Sequence, residues 1–120
     1  MAGQLTIDTL KASSGVLATQ NGMTGIAKAW VNFNGSTAVI ANSFNISSVT
    51  RNSTGNYTLN ITTALSSSNY SVTGSTSRSA GGIFFVTSGT LGTTSATVFL
   101  NTSAGSAVDD SLVCVTINGA

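Results

Sequence analysis

The chain holds only three carboxylates, Asp8, Asp109 and Asp110, and it has neither Glu nor His. General acid–base catalysis draws on His, Glu and Asp, so any proton transfer would fall to these three. A Ser–His or Cys–His nucleophile cannot be assembled without a histidine. Zinc sites of His and Cys are ruled out in the same way, because Cys114 is the only cysteine. Asp109 and Asp110 are adjacent, and neighbouring residues on a strand point to opposite faces. They are therefore a poor match for the facing carboxylates of a glycosidase. They read as a turn ahead of the last strand, with side chains capping backbone N–H groups. A weak calcium site is the alternative. No GxGxxG or GxxxxGK occurs, so no nucleotide site is signalled. Cys114 lies in the apolar stretch LVCVTI and reads as a buried, inert thiol that cannot form an internal disulfide. The expectation is a protein without catalytic, cofactor-binding or metal-ligating residues, and not an enzyme.

What surrounds these few groups is polar but uncharged. The 120 residues, enough for one domain, include 38 Ser and Thr and 11 Asn, against four Lys or Arg and three Asp. Hydrophobic residues make up 41% and the net charge is +1, which is not the signature of a disordered chain. Charged residues at 6% compare with about 25% in an ordinary domain. So little charge leaves weak repulsion between copies, and much of the surface is expected to be covered by other copies or other proteins. Lys11, Lys28, Arg51 and Arg78 do not cluster, which argues against nucleic acid. No apolar run approaches the length of a membrane span. The opening MAGQLTIDTLKASSG lacks the charged and apolar regions of a signal peptide. Seven N-x-[ST] triplets, at Asn34, Asn45, Asn52, Asn56, Asn60, Asn69 and Asn101, read as exposed strand-face residues rather than glycosylation acceptors.

The elements that carry these residues read as strands and turns. NYTLNITT alternates, with Tyr57, Leu59 and Ile61 on one side and Thr58, Asn60 and Thr62 on the other. RNSTGN before it has turn chemistry at Gly55, with SSVT as the hairpin partner. GIAKAWVNFNG places Ala27, Ala29, Val31 and Phe33 inward and Lys28, Trp30 and Asn32 outward, closed by a tight turn at Asn34-Gly35. TAVIANSFNI, NYSVTGS, GGIFFVTSGT and SATVFLNTS follow, the last two joined near Thr90-Leu91-Gly92. DSLVCVTING is nearly continuously apolar and reads as a strand covered on both faces or packed on a neighbouring subunit. Seven or eight short strands at this spacing predict an all-β, antiparallel β-sandwich, jelly-roll or immunoglobulin-like, over residues 25–120. Residues 1–24 read as an extended arm too poor in apolar residues to fold alone and ordered only where it docks. Its docking residues are expected to be Leu5, Ile7 and Leu10. The residues expected to meet a second subunit or partner are Trp30, Phe44, Leu112, Val113, Val115 and Ile117. Trp30, with its polar neighbours, is as well suited to such a contact as to the core.

The block from residue 25 to 72 resembles a small domain of tailed bacteriophages, found at the ends of tail-fibre-like proteins and as short virion proteins. The resemblance rests on AKAWVNFNG (27–35), SFNISSVT (43–50), GNYTLN (55–60) and TTALSSSNY (62–70). The closing VDDSLVCVTING and the short opening GQLTIDTLK are similar to the ends of such proteins. The resemblance implies a virion structural protein, a homotrimer on the outer capsid or the tail, made in the host cytoplasm. It transfers no catalytic residue. An arm plus a compact body, with no long shaft, suits a capsid decoration (cement) protein that binds the major capsid protein, its arm adding strands or contacts there. The alternative is a short tail-fibre or receptor-binding tip that recognises a host surface glycan, with Trp30, Tyr57 and Tyr70 as stacking faces.

Overall fold

A computed structural model describes Gly3 and residues 26–77 and 84–119. The arm residues Leu5, Ile7 and Leu10, and the boundary at residue 25, lie outside the described residues. The described chain is all-β. Its strands are β1 (Ala27–Phe33), β2 (Ile40–Phe44), β3 (Ile46–Ser53), β4 (Asn56–Ile61), β5 (Tyr70–Thr76), β6 (Phe84–Leu91), β7 (Ser95–Thr102) and β8 (Val113–Gly119). They form two antiparallel four-stranded sheets, ordered β2-β1-β8-β5 and β3-β4-β7-β6. The pairs β1–β2, β3–β4 and β6–β7 are neighbours within a sheet, whereas the chain changes sheet after β2, β4, β5 and β7.

The central strands carry the core because their alternation is the cleanest. Ala29, Val31 and Phe33 of β1 and Val113, Val115 and Ile117 of β8 meet Tyr57, Leu59 and Ile61 of β4 and Ala96, Val98 and Leu100 of β7. All of these are buried. Each large aliphatic or aromatic side chain so removed from water contributes roughly 1.5–3 kcal/mol. The Phe33 and Tyr57 rings meet edge to face across the sheets, 5.1 Å apart at 73°, a favoured aromatic geometry. Val113, Val115 and Ile117 are thus covered inside a single chain. That side of β8 has no surface left for a second subunit, contrary to the expected interface.

Three local expectations are corrected. Lys28 is buried rather than outward-facing. The β1–β8 register slips between Ala27 and Ala29, with Ala27 opposite Asn118 and Ala29 opposite Ile117. Lys28 is the extra residue of a bulge, and the bulge breaks the period-2 pattern. TAVIANSFNI is not one strand. It divides at Asn45, whose φ of 57° is tolerated by Asn better than by most residues and turns the chain from one sheet to the other. The Asn45 side chain secures that crossing by donating to the carbonyls of Lys28 and Thr63 and accepting from the Thr63 amide. Lastly, Asn34-Gly35 does not form a two-residue turn. The loop closes with Asn34 N–H to Val39 O (2.9 Å) and Ala38 N–H to Asn34 O (2.7 Å). The positive φ falls on Ala38, at 59°, not on Gly35.

Gly55, in the β3–β4 turn, does need its freedom. Its φ is +64°, and a Cβ there would sit 2.4 Å from Leu100 O. Gly105 has a φ of +84° but open space around it. Gly55→Ala is therefore expected to destabilise by about 3 kcal/mol or more, from left-handed strain plus overlap. Gly105→Ala should cost about 1 kcal/mol, from strain alone. Urea unfolding of both variants measures the difference, and equal losses would contradict the close-approach account.

Candidate functional site

The densest polar cluster in the described structure lies at one end of the sandwich, around Asp109. Its Oδ1 accepts the Gly55 amide at 2.9 Å and the Tyr57 hydroxyl at 2.5 Å. Its Oδ2 accepts Arg51 Nε at 3.1 Å and Nη2 at 2.6 Å. Arg51 also donates to Thr54 Oγ1 at 3.1 Å. Beside it, buried Asp110 accepts at Oδ1 from the Ser77 hydroxyl (2.8 Å) and the Ser111 amide (2.7 Å). The Asp110 carbonyl accepts the Gly35 amide at 2.8 Å. Gly35 is small for a reason of packing: a Cβ there would fall 2.6 Å from the Tyr57 hydroxyl.

This arrangement is capping chemistry, as expected for Asp109-Asp110, although the two residues lie in irregular backbone rather than in a turn. The Arg51 guanidinium stands where a bound cation would have to sit. Burial pushes the Asp109 carboxyl up, but hydrogen bonds from Arg51, Tyr57 and the Gly55 amide outweigh it and hold the group below its ordinary value. Burial first, then the bond to Asp109, pushes the Tyr57 phenol well above its ordinary value. A carboxylate held ionised by several donors is a poor proton carrier near neutral pH. No cleft opens beside the cluster among the described residues. No group of three or more His, Cys, Asp or Glu within them could hold a metal ion.

The remaining expected contact residues lie on the first sheet. Trp30 is directly opposite Phe44 in the β1–β2 register and opposite Thr116 in the β1–β8 register. Both aromatics are half-buried and lie on the side away from the core. The structure thus brings together two aromatics that are 14 positions apart in sequence. Leu112 is 38% exposed, at the entry to β8. Val39 is the most exposed of the large hydrophobics among the described residues, at 64%, and went unnoticed in the sequence because it reads as part of a strand. Cys114 is half-buried on the same outward side of β8, opposite Asn32 and Ser75, not enclosed as expected. The proposed stacking set does not survive intact: Tyr57 is fully buried in the core. Tyr70 is half-buried and donates to Gly92 O at 2.8 Å.

Comparison with protein-family models, with curated proteins and with solved structures gave no match.

Asp109 generates a pH prediction. Its carboxyl is held below the unfolded value of about 3.9, so its stabilisation is fully present above that pH and is lost as pH falls through the lower, folded value. The thermal midpoint is expected to stay level from neutral pH down to about pH 5 and to drop below about pH 4. Asp109→Ala leaves the Gly55 and Tyr57 donors unmatched and should cost about 2 kcal/mol at neutral pH. It should also flatten the acid limb. An acid limb of unchanged steepness in the variant would show that other groups govern it.

Proposed function

We propose that this chain is a bacteriophage virion structural protein: a homotrimeric capsid decoration (cement) protein that binds the outer capsid and stabilises it. The observation that carries the reading is the outward-facing pair Trp30 and Phe44 on adjacent strands, in a body with very little charge. Two aromatics on one sheet face are suited to burial by a partner, since aromatic side chains dominate interface energetics. The resemblance of 27–35, 43–50, 55–60 and 62–70 to the phage domain supports the same reading.

In this proposal the mechanism is associative. The trimer joins several capsid subunits, and loss of any single contact is resisted by the others. The arm, through Leu5, Ile7 and Leu10, supplies contacts to the major capsid protein, and the sandwich supplies the trimer contacts through Trp30 and Phe44. The tail-tip alternative loses one of its stacking residues, because Tyr57 lies inside the core.

Deleting residues 1–20 is expected to abolish binding to undecorated heads while leaving the trimer intact in analytical sedimentation. Replacing Trp30 and Phe44 together by Ser is expected to yield monomer. A truncated protein that still coats heads would refute the arm's role. A handful of copies confined to the tail of the particle would refute decoration.

A further inference from the structure

The second sheet presents a different surface, and its chemistry is specific. On the side of β3-β4-β7 away from the core, the registers align Ser48 with Asn60 and Ser95, and Thr50 with Thr58 and Thr97. Amide side chains tie this face into a ladder. Asn60 Nδ2 donates to Ser48 Oγ (2.9 Å) and Thr50 Oγ1 (3.2 Å). Asn52 Nδ2 donates to Thr58 Oγ1 (2.9 Å) and Asn56 Oδ1 (3.1 Å).

These bonds set the polarity of what remains. Asn60 and Asn52 spend their N–H groups within the ladder and leave Oδ1 as acceptors. Asn56 spends its oxygen and leaves Nδ2 as a donor. Acceptors and a donor are thereby held in place beside the Ser95 and Thr97 hydroxyls, so little side-chain entropy remains to be lost on binding. At the end of the ladder stands Phe99, opposite Asn56 on β4 and Thr87 on β6. Its ring lies against Gly89, where a Cβ would come within 2.5 Å of it. Gly89 thus lets a half-buried aromatic lie low over the edge strand, level with the amides beside it.

The strand positions that form this face are uncharged. Arg51, near one end, is already paired with Asp109. A polyanion would find no cluster of cations here, and an apolar partner would leave the amides unmatched. A neutral sugar chain matches this face: its hydroxyls can both donate to the amide oxygens and accept from the Asn56 amide, and its ring offers an apolar C–H face to Phe99. The strands stand about 4.8 Å apart, on the scale of one sugar ring.

We infer that the outer face of β3-β4-β7 binds a neutral polysaccharide, with Phe99 as the stacking platform and Asn56 and Asn60 as the hydrogen-bonding pair. The inference is independent of the Trp30–Phe44 contact, which lies on the other sheet, and of any capsid role.

Native gel electrophoresis of the full chain tests it, in gels containing a β-glucan, a mannan or a galactan, with alginate as the acidic comparison. At least one neutral polymer is expected to retard the protein, and alginate is not. Phe99→Ala, and Asn56→Asp, which keeps the ladder's acceptor and removes the outward donor, should each weaken that retardation about tenfold. Val39→Ser, in the exposed β1–β2 loop, should leave it unchanged, and the unfolding midpoint of each variant checks that it is folded. The inference is overturned if no neutral polymer retards the protein or if alginate retards it most. It is equally overturned if retention survives both variants in folded form, or if Val39→Ser reduces it as much.

Discussion

One carboxylate closes the end of this sandwich. Asp109 precedes β8, yet it bonds the amide of the β3–β4 turn, a hydroxyl from β4 and a guanidinium from β3. The neighbouring residue extends the joint to the β1–β2 loop through Gly35 and to the end of β5 through Ser77. Two sheets that touch mainly through aliphatic side chains could slide relative to one another, since hydrophobic contact has no direction. Hydrogen bonds to a charge do have direction. The core supplies most of the stabilisation, and this node sets the register in which the sheets meet. Gly35 and Gly55 are the steric conditions for it, because a methyl group at either would strike Tyr57 or the β7–β8 connection.

Apart from this node and buried Lys28, the described residues manage polarity without charge. Hydroxyls and amides satisfy one another across strands, and among the described residues no buried side-chain nitrogen or oxygen is left without a partner. Such bonds do not titrate near neutral pH and are little screened by salt, unlike ion pairs. The two outer faces then diverge in character. The first sheet places aromatics side by side, and the second places amides and hydroxyls in ranks. A body of this kind can offer a different surface to each of two neighbours.

Much of this architecture was legible in advance. Period-2 alternation in NYTLNITT and in AWVNF located the central strands and their inward residues, because a strand buried on one side has little freedom in which residues it hides. The capping role of Asp109-Asp110 was legible as well, since short acidic side chains next to a strand cap backbone amides. The misreadings share a cause. Lys28 was assigned by alternation and was displaced by a bulge. Gly35 was read as half of a two-residue turn; it lies in a longer turn and is also a residue of close approach. Val113, Val115 and Ile117 were read as interface from their apolar run, whereas the facing sheet covers that side of β8.

By itself the sequence determined the class of the fold, the strand content, the inward residues of the central strands and the near absence of charge. Each of these follows from local pattern and composition, which act within a few residues. Only the tertiary structure decided that Arg51 would meet Asp109, 58 positions away, that Trp30 would face Phe44, and that Phe99 would rest on Gly89. Those pairings depend on strand order and register. These are set by how two whole sheets fit together, and no local window of sequence contains that information.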